Sequence, residues 1–152
     1  MTSANRSFRV GTTGMTLRDL VALRKLEYSK LKSVQCPLLK EDVLFNNQGF
    51  RHLTHDGRGH LRSATVQKMR LNLLTDVCEV IKKADALGAP DRIVPARHPE
   101  NRLAKEVCYH ELYYRFHSRK AVAVILRRIG GGQLHFYSVR YVKKAKTPKK
   151  AT

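Results

Sequence analysis

This chain is short of acid. Only 12 Asp and Glu stand against 30 Lys and Arg in 152 residues, a formal net charge of +18, and the last acid is Glu111. The 41 residues from 112 to 152 carry eleven Lys or Arg and no carboxylate. No run of 18 apolar residues exists, which excludes a hydrophobic membrane-spanning helix. The opening Met-Thr-Ser-Ala-Asn-Arg-Ser-Phe-Arg-Val has neither the apolar stretch nor the cleavage site of a secretory signal, so a cytoplasmic protein is expected. Cysteine is sparse as well: Cys36, Cys78 and Cys108 are odd in number, widely spaced and without a CxxC pair. That pattern argues against a disulfide framework and against a thiolate zinc site.

What remains is a basic chain of ordinary domain length, with 42% hydrophobic residues to fill one core. A polyanionic partner is the direct implication, because each phosphate neutralised by Lys or Arg releases condensed counterions. Membrane lipid is the weaker choice of polyanion, since the basic C-terminal half reads as strands rather than as an amphipathic helix. RNA is therefore the expected partner, and no membrane is.

Residues 1–14 read as a flexible arm, 15–142 as one domain and 143–152 as a basic, disordered tail that includes Lys143 and Lys144. Thr16-Leu-Arg-Asp19 opens a helix, and the spacing of Leu17, Leu20, Val21, Leu23, Leu26 and Leu31 carries it to about Lys32, with Pro37 as its exit. Residues 41–45 are a short apolar segment, and Asn46-Asn47-Gln48-Gly49 has turn chemistry. From an N-cap at Ser63 a second helical pattern runs to Leu87, divisible at Thr75-Asp76. A Pro-containing connection at 89–102 follows. Aromatic and β-branched runs at 106–116, 121–128 and 133–142 predict three strands joined by two hairpins. The fold class expected is thus α+β, N-terminal helices on a twisted antiparallel sheet.

The chemistry concentrates in residues 49–63, where His52, His55 and His60 lie among Arg51, Arg58 and Arg62. Histidine can accept a proton and return it, as RNA transesterification requires, while arginine holds a phosphate and stabilises developing oxyanion charge. No metal or other cofactor is needed for that chemistry. A zinc site at His52-x-x-His55 with His60 and Asp56 is opposed by the surrounding arginines and completed by no Cys or HExxH spacing. On the last strand, strict alternation puts Leu134, Phe136, Ser138 and Arg140 on one face and His135, Tyr137, Val139 and Tyr141 on the other. His117, Arg127, Arg128, Tyr137 and Arg140 are candidate RNA contacts through charge and stacking.

The order of these parts, a Gly49-Phe-Arg-His52-Leu motif, a helical pair, then strands Ala121-Val-Ala-Val-Ile-Leu-Arg127 and His135-Phe-Tyr-Ser138, resembles the barnase, EndoU, colicin and RelE (BECR) superfamily of metal-independent ribonucleases. Within it the likeness is to phage-associated domains. The resemblance spans residues 41–142 and implies endonucleolytic cleavage, of the kind toxins perform, by attack of a ribose 2′-hydroxyl on its own phosphate. It makes His52 the motif histidine and Ser138 the polar residue of the last strand, with Arg62 or Arg128 on the phosphate and His55 or His135 as the second proton-transfer group. An acidic neutralising protein is a further expectation from the charge. A non-catalytic RNA- or DNA-binding module is the competing class, having no use for clustered proton-transfer residues. In either case, affinity for a single-stranded RNA should fall by orders of magnitude between about 50 and 200 mM salt, measurable by fluorescence anisotropy.

Overall fold

A computed structural model describes residues 14–87, the backbone of 92–95, and residues 106–117 and 120–142. Nearly all of the expected N-terminal arm, and the basic tail with Lys143 and Lys144, lie outside them. The α+β class expected from the sequence is the class observed. Among the described residues no helix is long and apolar enough to cross a membrane.

Helix α1 (Leu17–Ser29) is capped by Thr16, whose hydroxyl accepts the N–H of Asp19. It stops short of Lys32 because the next residues belong to a hairpin, β1 (Ser33–Cys36) with β2 (Glu41–Leu44). Pro37 therefore starts the hairpin turn rather than ending the helix, and Lys40 closes that turn at φ 56. Residues 46–49 are not a turn. The Asn46 side chain accepts the Gly49 N–H and caps helix α2 (Asn47–Thr54). Ser63 caps α3 (Ala64–Leu73) as expected, a single 3₁₀ turn follows at Leu74–Asp76, and α4 (Val77–Lys83) completes the helical pair. Helix α4 ends four residues before Leu87, because β3 (Ala86–Leu87) pairs with the sheet. Inside the expected connection lies β4 (Arg92–Pro95).

The three predicted strands are β5 (Glu106–Arg115), β6 (Ala121–Ile129) and β7 (Leu134–Tyr141), an antiparallel meander. Gly130 at φ 57 makes the second turn. The sheet as a whole is mixed, in the order β1-β2-β7-β6-β5-β3 with β4 also on β5, since β2 runs parallel to the start of β7 through Val43 and Leu134. This departs from the all-antiparallel expectation; nothing in residues 41–45 encodes a partner 90 residues away.

Strict alternation on β7 also fails. A bulge between Ile125 and Leu126 sets Leu126 opposite Phe136 but Ile125 opposite Ser138, so Tyr137 is the extra residue. Beyond it the faces exchange, and Leu134, Phe136 and Val139 all reach the core with Tyr141 packed against it. That core joins Leu20, Leu53, Leu71, Val77 and Ile81 of the helices to Val122, Val124 and Leu126 of β6. A buried arginine, Arg24, ties α1 to α3 by donating to the Leu71 carbonyl at 3.1 Å while pairing with Glu27 at 2.9 Å.

Helix α2 lies directly against β7. A Cβ built on Gly49 would stand 2.6 Å from the Phe136 carbonyl oxygen and 2.7 Å from the Tyr28 hydroxyl, which itself donates to the Asn46 carbonyl at 2.6 Å. Burial raises the Tyr28 pKa, so the phenol stays a donor. Phe45, Phe50 and Phe136 all pack edge-on or tilted around Tyr28 within 6.2 Å. Gly49→Ala should therefore destabilise the fold by about 1–3 kcal/mol by overpacking, despite alanine's better helix propensity, as read from urea denaturation midpoints.

Candidate nucleic-acid site

The last turn of α2 carries His52 to the β7 edge, where its ring centroid is 4.1 Å from that of Tyr137. The bulge is what turns Tyr137 to meet it. Tyr137 in turn has the Arg127 guanidinium 4.7 Å from its ring centroid and the Tyr109 ring edge-on at 5.3 Å. The register explains this grouping: Tyr109, Arg127 and His135 are neighbours across β5, β6 and β7 and share the face away from the helices. His135, half-buried two residues before Tyr137, stands on that face beside Arg127.

Four arginines surround His52. Arg62 donates from Nε to the His52 carbonyl at 3.0 Å. Arg127 donates to the Gln48 side-chain oxygen at 2.6 Å. Arg70, on α3, donates from Nη1 to the Ser138 hydroxyl at 2.6 Å and to the Val139 carbonyl at 3.1 Å, and its buried Nε has no hydrogen-bond partner among the described residues. Arg51 is exposed one residue before His52. Burial and then the charges of Arg127, Arg62, Arg70 and Arg51 push the His52 pKa down to about 4. Burial first, then Arg62 and Arg140, lowers Arg70 to about 10. Every charged group that shifts His52 is thus a cation. Such an arrangement leaves the imidazole neutral and the site short of an anion.

The way each arginine is held separates the structural from the available. Arg128 forks onto both oxygens of Glu41, at 2.6 and 2.7 Å, and also donates to the Gly132 carbonyl. It braces the β6–β7 turn against β2, with its charge paired by a carboxylate rather than left open to the phosphate expected there from the sequence. Arg140 is spent on Glu111. Among the described residues, Arg62, Arg70 and Arg127 hydrogen-bond to neutral oxygens, which fix their direction without pairing them to a carboxylate.

The three clustered histidines separate in space. His55 turns its Nδ1 to the Thr54 hydroxyl at 2.8 Å and bridges to Leu61 across a short hairpin. His60 is 74% exposed, 3.7 Å from Asp56. Asp56 clips that hairpin by accepting the N–H groups of Arg58 and His60, both at 2.9 Å, the latter chief among the causes that hold its carboxyl below the usual range. Among the described residues no three His, Cys, Asp or Glu side chains form a metal-ligand group. His117 sits in the exposed turn before β6, roughly 20 Å along the strand from Arg127, and so away from His52.

Of the residues proposed from sequence, His52, Arg62, Arg127, His135, Tyr137 and Ser138 come together, with Arg51 at the rim. The Ser138 hydroxyl accepts a hydrogen bond from Arg70. Arg70, Tyr109 and Gln48 were missed. Arg70 had a signal: it stands in the i, i+4 row between Val66 and Leu74, on the inner side of α3 where a solvated arginine has no place. Tyr109 and Gln48 had none. Comparison with protein-family models, with curated proteins and with solved structures finds no match to this chain.

With its pKa lowered from 6.5 to about 4, His52 favours the native state fully above pH 6.5, and this contribution is lost as pH falls from 6.5 towards 4. An NMR titration should find the His52 ring protonating near pH 4, and saturating inorganic phosphate should move that midpoint upward.

Proposed function

We propose that the chain is a metal-independent endoribonuclease of the BECR superfamily, toxin-like in action, cleaving cytoplasmic RNA by 2′-hydroxyl transesterification. The observation that carries this reading is a neutral, half-buried imidazole among four guanidiniums whose fixed members are held by neutral oxygens. A single-stranded phosphodiester placed between His52 and Arg127 supplies the missing negative charge. His52 then accepts the 2′-hydroxyl proton, the 2′-oxygen attacks phosphorus, and Arg62, Arg70 and Arg127 stabilise the charge on the non-bridging oxygens. The bound anion lifts the His52 pKa towards working pH, so the base strengthens when substrate is present. His135, paired across the sheet with Arg127, is assigned to protonate the departing 5′-oxygen, leaving a 2′,3′-cyclic phosphate and a 5′-hydroxyl. Tyr137 and Tyr109 offer stacking surface beside the phosphate. An acidic protein that covered these arginines would neutralise the enzyme.

A non-catalytic RNA-binding module is the second reading, favoured by one observation: of the three clustered histidines only His52 stands against Tyr137, His55 bonding Thr54 and the exposed His60 lying beside Asp56. Turnover decides between them. Purified protein should cleave single-stranded RNA in EDTA, and His52→Ala should lower turnover by about 10²-fold or more while binding is retained. Arg70→Ala should weaken both. Tight, salt-sensitive binding with no cleavage of any substrate would establish the binding module instead.

A further inference from the structure

Helix α3 serves the arginine group twice. Arg70 stands in it directly, and three residues earlier Gln67 reaches back to the residue before the helix cap. Gln67 is only 4% exposed and belongs to the inner row of α3, where the next positions, Leu71 and Leu74, are buried leucines. An amide in such a row disfavours folding unless it is hydrogen-bonded, and a methionine of similar length would fill the space without that cost. The polar choice therefore calls for a reason. The Gln67 main-chain N–H donates to the Ser63 carbonyl at 2.9 Å, and its side-chain Nε2 donates to the Arg62 carbonyl at 2.7 Å. The second acceptor lies just outside the helix, where α3 has no main-chain donor to offer it.

Arg62 is thereby held at three points. Its N–H donates to the Thr54 carbonyl at 2.8 Å, its carbonyl accepts from Gln67, and its Nε donates to the His52 carbonyl at 3.0 Å. The first and third bonds tie it to the end of α2, and the second ties it to α3. A free arginine side chain gives up much rotamer freedom when a ligand directs it. Clamping the main chain on both sides removes part of that freedom before any ligand arrives. The bond to His52 engages Nε rather than the terminal nitrogens. We propose that Gln67 is a positioning residue of the arginine site: by holding the Arg62 main chain, its amide fixes the Arg62 guanidinium beside His52 for an incoming phosphate. The proposal rests on the ribonuclease reading only for the phosphodiester as ligand. The positioning itself is a property of the protein at rest.

The ring titration of His52 and the binding of inorganic phosphate both sense where Arg62 stands, and neither requires turnover. Burial and then Arg127, Arg62, Arg70 and Arg51 hold the His52 pKa down, so release of Arg62 raises it. Gln67→Met removes the donor and keeps the length of the side chain. In the folded chain it should move the His52 midpoint upward, in the direction of Arg62→Ala, and weaken inorganic phosphate by about threefold or more. Introduced into Arg62→Ala, the same substitution should change neither quantity, because Gln67 acts through Arg62. Gln67→Asn draws the amide back by one methylene and should shift both quantities the same way, which keeps the test available if the methionine variant does not fold. Equal effects with and without the Arg62 side chain would overturn the proposal. An unchanged His52 midpoint and phosphate affinity in the folded Gln67 variants would overturn it too. Turnover on single-stranded RNA separates this role from the ribonuclease reading. Coupled changes in a chain that cleaves nothing would sustain the positioning role and remove the nuclease, whereas cleavage without coupling would do the reverse.

Discussion

The close approach of α2 to β7 is the contact from which the site follows. It is possible because residue 49 has no side chain; a single Cβ there would collide with the Phe136 carbonyl and the Tyr28 hydroxyl. At that separation α2 lies along the β7 edge beyond the short parallel pairing with β2, and the Tyr28, Phe45, Phe50 and Phe136 rings fill the space beneath it. One turn further on, the same helix delivers His52 to Tyr137. Glycine and histidine three residues apart are thus two ends of one geometric device, the first fixing the distance and the second using it.

Electrostatics gives the device its direction. Gathering Arg51, Arg62, Arg70 and Arg127 around one imidazole raises the energy of the free protein, and Arg70 loses basicity through burial and through Arg62 and Arg140. The fold offsets part of this by fixing three of the cations with carbonyl, amide and hydroxyl oxygens. Carboxylates are reserved for arginines elsewhere: Glu27 for Arg24, Glu41 for Arg128, Glu111 for Arg140. With only 12 acids in the chain, this allocation is informative. An arginine paired to a carboxylate is committed to structure, whereas one aimed by a neutral oxygen keeps its charge for a ligand.

Where the local chemistry was decisive, the sequence was readable. Ser63 had to cap α3, the aromatic and β-branched runs had to be strands, and Ile129-Gly-Gly-Gly had to turn. Helix α2 was misread because Asn and Gly suit turns and N-caps equally, and only the approach of β7 shows which role Asn46 plays. The strand at Arg92–Pro95 was hidden by Pro90 before it and Pro95 at its end, and the end of α4 by a pairing of β3 with β5 that its own residues do not announce.

For the site, His52 and Arg62 were legible because histidine and arginine in a short segment are chemically unusual wherever they fold. Arg128 and Arg70 could not be told apart by sequence because side-chain partners lie through space: Glu41 pairs the first, and the second donates to Ser138. The bulge at Tyr137 shifts every later residue of β7 to the opposite face, and a one-residue insertion in pairing leaves no mark on composition or period. By itself the sequence determined the charge, the α+β order and the gathering of histidine and arginine in residues 49–63, since these depend on residue type and near neighbours. Tertiary structure alone decided which histidine meets which arginines, because that depends on the parallel β2–β7 contact, the bulge and the depth to which α2 can sink at Gly49.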